Sequence, residues 1–219
     1  MVAPFLNRTD AGRKLAKALS HYSGRKDVLL LALPRGGVPV AFEIARELKA
    51  PLDVFLVRKL GVPGHEELAM GAIASGGIRV LNDDVILSAG ISDTVIERVA
   101  LREQKELERG ERAYRGERPI TEPAGRVAVL VDDGVATGAS MRAAVTALRA
   151  KQPSRIVVAV PTAPPGACEA FESEADETVC LVQPYPFFAV GGSYEDFSEI
   201  SDEEVRRLLD DATRPSPSE

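Results

Sequence analysis

Cysteine is scarce in this chain, long apolar runs are missing, and positive charge is in the minority. Only Cys168 and Cys180 occur in 219 residues, and their spacing fits none of the common zinc-binding patterns. Both stand in apolar stretches, and the N-terminal residues do not resemble a secretory leader. We therefore expect buried, reduced thiols in a cytoplasmic protein.

The lack of long apolar runs argues against a membrane-spanning helix, which needs about 20 apolar residues in succession. A soluble protein without a membrane partner is expected. Lysine and arginine number 27 against 33 aspartates and glutamates, which gives a net charge of −6. Because a nucleic-acid surface is normally basic, no nucleic-acid partner is expected either.

What the sequence does contain is an alternation of apolar strands and amphipathic helices. The strand predicted at 28–33 is apolar throughout, as is typical of a parallel strand that is covered on both faces. Further strands, mostly apolar, are predicted at 52–57, 126–131, 155–160 and 177–182. Helices are predicted at 9–19, 38–48, 92–115 and 201–211, with Thr9 and Ser201 as N-caps. The order predicts an α/β fold with a mainly parallel, doubly wound sheet and helices on both faces. One domain is expected over 1–211, followed by a disordered tail at 212–219.

The most informative segment is VAVLVDDGVATGAS, residues 127–140. A buried strand ends at two adjacent acids, Asp132 and Asp133, and a loop of small residues follows. Small side chains let consecutive N–H groups approach an anion, and the hydroxyls of Thr137 and Ser140 add donors. The loop leads into a helix whose N-terminus also favours negative charge. A phosphate group is the expected ligand of this loop.

Two carboxylates beside an anion site require a neutral or cationic group between them and the anion, because like charges repel. Sugar hydroxyls meet that requirement, and so does a bound divalent metal. A ribose 5-phosphate unit fits both halves of the segment. Its phosphate would lie in the loop, and its 2- and 3-hydroxyls would donate to Asp132 and Asp133.

The segment resembles the phosphoribosyl diphosphate (PRPP) signature of the type I phosphoribosyltransferases: an apolar strand, two acids, a short spacer, then Thr-Gly-x-Ser or Thr. The resemblance implies transfer of the 5-phosphoribosyl group from PRPP to a nitrogenous acceptor, with release of diphosphate. It implies that Asp132 and Asp133 hold the ribose and favour its developing positive charge. Mg²⁺ would be the cofactor, bridging ribose hydroxyls and diphosphate with no direct protein ligand. The remaining residues of the implied phosphate site are Gly134, Val135, Ala136, Thr137, Gly138, Ala139 and Ser140.

A second glycine loop, LPRGG at 33–37, follows the first strand. Gly36 and Gly37 before a helix form an anion cradle, and Arg35 adds a planar fork of donors suited to phosphate. In the family, the corresponding loop holds the diphosphate and often contains a non-proline cis peptide. The resemblance therefore implies a diphosphate site with a catalytic Arg35 and a cis bond between Pro34 and Arg35.

Arg58 and Lys59 stand at the end of the predicted second strand. By residue chemistry alone they fit a solvated strand edge equally well. The family places basic residues against the diphosphate at this point, so the resemblance implies that at least one of them helps to neutralise it.

The stretch at 60–81 resembles the mobile active-site loop of the family, and part of it predicts a hairpin that turns at Gly76 and Gly77. Closure of such a loop would exclude water from a reactive sugar cation. Three side chains within it could do acid or base work, although a plain surface position is the commoner explanation for a loop histidine beside two acids: His65, Glu66 and Glu67.

Two features bear on the acceptor. Family members that act on 6-oxopurines carry an Asp immediately before the signature Thr, where this chain has Ala136. A nucleobase other than a 6-oxopurine is therefore favoured. A candidate hood lies at 183–200, where five of the eleven aromatic residues fall within thirteen positions. Base stacking and core filling both remain open for these rings, which are Tyr185, Phe187, Phe188, Tyr194 and Phe197.

Two further alternatives remain open at this point. The long charged helix at 92–115 is either a solvated helix docked on the sheet, or a dimer contact or a support for the mobile loop. A homodimer is the expected assembly. The alternative to an enzyme is a PRPP-sensing regulator of nucleotide metabolism without catalysis. Regulators of that kind usually add a basic surface or a helix-turn-helix domain, and the acidic composition favours the enzyme.

Overall fold

The computed structural model describes residues 3–214, and its centre is a five-stranded parallel sheet. In spatial order the strands are β2 (Leu52–Val54), β1 (Val28–Ala32), β6 (Val127–Val131), β7 (Arg155–Thr162) and β8 (Glu177–Val182). β1 and β6 are buried at every residue, as strands in the middle of a doubly wound sheet must be. The predicted α/β fold is confirmed.

Helices cover both faces of this sheet. Three pack on one face, α1 (Arg8–Ala18), α2 (Gly37–Leu48) and α7 (Asp202–Thr213), and α4 (Asp93–Arg115) packs against α7 on the same side. Two pack on the other: α5 (Ala139–Arg149) and α6 (Ala167–Phe171). Alternate residues of β1 enter opposite cores, with Leu30 on the first side and Leu29 on the second. Within residues 3–214, no helix is both long enough and apolar enough to cross a bilayer.

A separate antiparallel sheet follows the second strand and consists of β3 (Val57–Val62), β4 (His65–Ala74) and β5 (Ile78–Leu81). The predicted turn at Gly76 and Gly77 is confirmed, and both glycines have positive φ, 81° and 73°. The stretch at 60–81 thus forms most of a three-stranded sheet. Helix α3 (Asp83–Ala89), which the sequence reading did not anticipate, connects it to α4.

The prediction of one continuous strand over 52–57 is wrong at its end. The chain leaves the parallel sheet after Val54, the N–H of Leu56 donates to Ser75 Oγ at 3.0 Å, and Val57 pairs with Ala74. Because the residues that connect the two sheets are also apolar, the sequence pattern did not show where the chain passes from one sheet to the other. The two cations at 58 and 59 consequently lie inside β3.

Helix ends depart from the predictions in two places. The N-cap of α1 is Asn7 rather than Thr9, because Asn7 Oδ1 accepts the N–H of Asp10 at 3.0 Å. Ser201 caps α7 as predicted and accepts the N–H of Glu204 at 3.1 Å. Since α7 continues to Thr213, the predicted tail at 212–219 begins too early, and 215–219 lie outside the described residues.

The expectation of reduced thiols is wrong: Cys168 in α6 and Cys180 in β8 form a disulfide. Their Cα atoms lie 6.4 Å apart, within the range that a disulfide spans. Reduced thiols were expected because the cytoplasm is a reducing compartment. The disulfide forms because α6 packs on β8 and brings the two cysteines together.

We expect reduction of this disulfide to lower the free energy of unfolding by about 3 kcal/mol, because it closes a short loop in the unfolded chain. Urea unfolding with and without a thiol reductant measures the difference. A Cys168→Ser/Cys180→Ser double variant should not respond to the reductant. Titration of two reactive thiols in the denatured, unreduced protein would contradict the pairing.

Candidate functional site

The two loops that the sequence reading singled out lie side by side at the carboxyl ends of β1 and β6. The N–H of Leu33 donates to the carbonyl of Val131 at 2.8 Å, which carries the pairing of the two strands to their ends. A Cβ on Gly37 would lie 2.9 Å from Asp132 Cα, closer than real Cβ atoms come. The absence of a side chain at this position is therefore what lets α2 approach the signature loop.

The peptide bond between Pro34 and Arg35 is cis, as the resemblance implied. It lies in the loop that leads from β1 to Gly37, the first residue of α2. The expectation for this bond is confirmed.

A pocket of about 240 Å³ opens where the loops meet. Pro34, Asp132 and Ser140 line it from the two loops, and Arg58 lines it from β3. The structure thus gathers one signature acid, one signature hydroxyl and one predicted cation around a single cavity. Cavities of this kind at the carboxyl ends of parallel strands are the usual ligand sites of open α/β sheets.

The two adjacent acids have different environments. Asp132 faces the pocket, and its Oδ1 accepts the N–H of Asp133 at 2.9 Å. Burial, and then the charge of Asp133, raise the pKa of Asp132 well above its ordinary value. Burial also raises the pKa of Asp133, although the Arg8 guanidinium opposes that shift through an ion pair of 2.8 Å. The site therefore keeps two carboxylates close together in a poorly solvated place.

The signature loop packs against the end of β7 and leaves its polar side chains accessible. Gly134 is buried, and a Cβ there would lie 2.8 Å from Thr162 Cγ2. Gly138, the N-cap of α5, has a φ of +78°, a backbone conformation that residues other than glycine rarely adopt. Thr137 and Ser140 are exposed at the N-terminal end of α5. Hydroxyl donors and a helix N-terminus thus flank one side of the site.

The three predicted cations are all ion-paired, in different places. Arg35 contacts Glu199 at 2.6 Å on the side of the hood. Arg58 contacts Glu103 of α4 at 2.7 Å and still lines the pocket. Lys59 points to the opposite face of β3, where it lines a separate cavity of about 690 Å³ and lies 3.5 Å from Glu67. Of the adjacent pair at 58 and 59, Arg58 is the residue at the pocket.

Helix α4 contributes polar side chains to the pocket that the sequence reading missed. Arg109 and Glu106 line it, as does Tyr114. Gly110 is the sequence feature that could have revealed this role of the helix. Glycine inside a helix costs about 1 kcal/mol relative to alanine, so its presence indicates that another part of the chain comes close to the helix backbone. A Cβ on Gly110 would lie 2.6 Å from Leu56 Cδ2. The missing side chain lets α4 pack against the segment that connects β2 to β3, and α4 forms a wall of the pocket.

The aromatic residues of the candidate hood divide into two groups. Tyr194 is buried between Phe5 and Phe197, with ring centroids 5.4 and 5.0 Å away, and its hydroxyl donates to the carbonyl of Asp133. Core filling therefore explains Tyr194. Tyr185 and Phe188 have 84% and 90% of their surface exposed. These two rings remain accessible for stacking.

The titratable side chains of the predicted mobile loop are exposed at the start of β4. The backbone N–H groups of Glu66 itself and of Gly64 hold the pKa of the Glu66 carboxyl below its ordinary value. His65 and Glu67 share this edge of the small sheet. Their position agrees with the surface alternative of the sequence reading.

The described part of the chain holds no cluster of three or more His, Cys, Asp and Glu side chains able to bind a metal ion. Asp132 nevertheless places a carboxylate on the pocket wall. Mg²⁺ commonly binds through one or two carboxylates, several waters and the phosphates of a substrate. The donor set fits a magnesium ion that arrives with a phosphorylated ligand.

Residues 4–195 match the protein family described as phosphoribosyl transferase domain. Two proteins of Mycobacterium tuberculosis with provisional phosphoribosyl transferase names, Rv0571c of strain H37Rv and MT0597 of strain CDC 1551, are each 49% identical over 210 residues. The alignments cover 96% of this chain and 47% of each relative, so the chain spans about half the length of these curated relatives. The crystal structure of TT1426 from Thermus thermophilus is 46% identical, with a TM-score of 0.84 over 94% of this chain and 97% of that one.

Proposed function

The chain belongs to the phosphoribosyl transferase family, and we propose that it is an enzyme that transfers the 5-phosphoribosyl group of PRPP to a nitrogenous acceptor with release of diphosphate. The observation that carries the proposal is the single pocket lined by Asp132, Ser140, Pro34 and Arg58. It combines a sugar-binding acid, a phosphate-binding hydroxyl and a cation beside a glycine loop. PRPP is a ligand that uses all four.

In the proposed complex, the 5-phosphate lies against the exposed hydroxyls of Thr137 and Ser140 at the N-terminus of α5. The ribose hydroxyls donate to Asp132 and Asp133, the two acids that the resemblance assigns to the sugar. The diphosphate lies along the glycine loop, where Arg35 and Arg58 neutralise it. Since Glu199 and Glu103 pair with these arginines in the structure, part of each guanidinium has to turn from its carboxylate to the ligand.

The proposed reaction is a displacement at the anomeric carbon of the ribose. The bond from this carbon to a diphosphate oxygen breaks, and a bond to the acceptor nitrogen forms on the opposite face. The bonding pair leaves with the diphosphate, and the acceptor nitrogen loses its proton to solvent. Because the ring gains oxocarbenium character in the transition state, the carboxylate of Asp132 stabilises it electrostatically.

Magnesium belongs to the proposal as the partner of PRPP. When bound, it supplies charge neutralisation at the leaving diphosphate. Asp132 is the pocket residue that would hold it, through water or through the ribose hydroxyls. Arginine side chains at the other end of the cavity hold the diphosphate oxygens.

The acceptor is proposed to be a nucleobase other than a 6-oxopurine, because the position before the signature threonine is Ala136. Tyr185 and Phe188 are the exposed rings that would stack on it. We further propose that the protein is a cytoplasmic homodimer that acts in nucleotide metabolism. The β3–β4 hairpin is proposed to close over the sugar during the reaction.

The test is a screen of nucleobases and simple amines with PRPP and Mg²⁺, in which diphosphate release is measured. We expect release with at least one acceptor, and none when a chelator removes the metal. Tight PRPP binding without release for any acceptor would favour the regulator instead. Failure to bind PRPP at all would contradict both.

Arg109 provides a specific prediction for the diphosphate end of the pocket. Its guanidinium is mostly exposed and lies 3.1 Å from Glu106. We expect Arg109→Ala to weaken PRPP binding about tenfold through loss of a charge-assisted hydrogen bond. Binding of ribose 5-phosphate, which lacks the diphosphate, should stay unchanged.

Isothermal titration with both ligands measures this difference. Arg98→Ala, an exposed arginine on the same helix, is the matched control and should bind PRPP like the wild type. Equal losses for PRPP and ribose 5-phosphate in Arg109→Ala would contradict a role at the diphosphate.

A further inference from the structure

The hydroxyl of Tyr194 makes a contact that core filling does not explain. The ring of this residue is 6% exposed and lies between Phe5 and Phe197, where a phenylalanine would pack equally well. Its hydroxyl, however, donates to the backbone carbonyl of Asp133, 61 positions away in the sequence. That carbonyl belongs to the peptide that joins the second signature acid to Gly134, where the signature loop begins. Tyr194 thus connects the hood to the backbone of the PRPP signature.

The position of this hydroxyl is fixed because the hood packs on the N-terminal segment and on the end of β7. The N–H of Phe5 donates to the carbonyl of Ser193 at 3.1 Å, and the N–H of Glu195 donates to the carbonyl of Phe5 at 2.9 Å. The buried hydroxyls of Ser193 and Thr162 form a hydrogen bond of 2.8 Å. Tyr194 stands between Ser193 and Glu195, so its hydroxyl is a donor held in place from both sides.

The signature loop is anchored on both sides of Gly134. On one side, Tyr194 donates to the carbonyl of Asp133. On the other, the N–H of Val135 donates to the carbonyl of Thr162 at 2.9 Å. A Cβ on Gly134 would lie 2.5 Å from a methyl carbon of the hood, so the hood follows the loop backbone closely. The two hydrogen bonds restrict the backbone between the ribose-binding acids and the phosphate-binding residues.

We propose that Tyr194 is a positioning residue of the PRPP site, whose hydroxyl holds the start of the signature loop in the geometry that binds the ribose 5-phosphate half of the ligand. The inference rests on the proposed function and extends it to a residue of the hood. Without the hydroxyl, the carbonyl of Asp133 loses this donor, and its peptide can rotate towards water. The same peptide carries the N–H of Gly134, so its rotation moves the loop backbone relative to the phosphate. PRPP affinity then falls with the fraction of molecules that keep the binding geometry.

The test is Tyr194→Phe, which removes one oxygen atom and keeps the ring. Isothermal titration in the presence of Mg²⁺ measures the binding of PRPP, ribose 5-phosphate and diphosphate. We expect the variant to bind PRPP and ribose 5-phosphate about tenfold more weakly, which corresponds to about one molecule in ten in the binding geometry. Diphosphate is proposed to bind at the glycine loop, so its affinity should equal that of the wild type.

Tyr22→Phe is the matched control, because it removes a similar hydroxyl far from the site. Tyr22 is 2% exposed, and its hydroxyl donates to Glu177 Oε2 at 2.6 Å. Glu177 is the first residue of β8, so this bond lies at the opposite edge of the parallel sheet from the site. Each variant should lower the melting temperature by about 3 °C through the loss of one hydrogen bond. Only Tyr194→Phe should change the affinity for PRPP.

Hydrogen exchange at the Val135 amide tests the anchoring of the loop without any ligand. We expect exchange to be about tenfold faster in Tyr194→Phe and unchanged in Tyr22→Phe, because only the first substitution lets the start of the loop open. The inference is overturned if Tyr194→Phe binds PRPP like the wild type, or if it loses diphosphate affinity to the same extent. An unfolded Tyr194→Phe would also overturn it, since the hydroxyl would then serve the fold rather than the site. A wild type that does not bind PRPP overturns the proposed function, and the exchange rates then still decide whether Tyr194 holds the loop.

Discussion

Asp132→Asn is expected to reduce turnover about a thousandfold, because the substitution removes the carboxylate that stabilises positive charge on the ribose ring. The amide keeps the Oδ1 acceptor that receives the N–H of Asp133, so the signature loop should keep its shape. PRPP binding should suffer much less than turnover, since the lost interaction strengthens in the transition state. Rates of diphosphate release under saturating PRPP measure the effect.

The same substitution should stabilise the free protein at neutral pH. The pKa of Asp132 is raised in the folded state by burial and by the charge of Asp133. A raised carboxyl pKa means that stability is lost as the pH rises from the ordinary value of about 3.9 through the raised one. Asparagine does not titrate, so the variant should be more stable than the wild type above this window and should lose its advantage below about pH 3.9.

Asp176→Asn is a control for which we expect the opposite effect on stability. Although burial acts to raise it, the pKa of Asp176 is lowered by the N–H of Ile156 and by Arg149. Its substitution should therefore destabilise the protein at neutral pH and leave turnover unchanged. Unaltered turnover in Asp132→Asn would contradict the proposed mechanism.

Gly37→Ala is expected to weaken PRPP binding about a hundredfold and to destabilise the fold by about 2 kcal/mol, because it overpacks a backbone contact. A Cβ at this position would lie 2.6 Å from the carbonyl oxygen of Val131 and 2.9 Å from Asp132 Cα. Both are backbone atoms, so α2 and the signature loop would have to move apart. The distance between the two halves of the PRPP site would then increase.

Gly192→Ala is the matched control, because a Cβ there would meet no atom within 4 Å. It should leave both stability and PRPP affinity unchanged. Titration of PRPP and urea unfolding of the two variants give the comparison. Wild-type affinity in Gly37→Ala would show that the close contact of the two loops is unnecessary for binding.

Elements with uniform local patterns could be predicted from the sequence. β1 and β6 are apolar at every position and are buried at every position. The end of the second strand could not be predicted in the same way, because Phe55 and Leu56 continue the apolar pattern while the chain passes from one sheet to the other. Hydrophobicity indicates burial but does not distinguish between two sheets.

The residues of the site also divide into those that could be predicted from local sequence and those that could not. The signature loop and the glycine loop were recognisable because their residues are contiguous. Arg8 and Arg109 reach the site from α1 and α4, and only tertiary packing brings them there. Because α4 is heavily charged, it was expected to be solvated. Gly110 was the one local feature in the sequence that pointed to close packing of this helix.

The most direct test of the central claim is a titration of the wild-type protein with PRPP and Mg²⁺, repeated in the presence of ribose 5-phosphate and of diphosphate. A single pocket built from both loops predicts saturable binding of one PRPP per chain, with each fragment competing for it. Absence of PRPP binding, or binding that neither fragment displaces, would contradict the account.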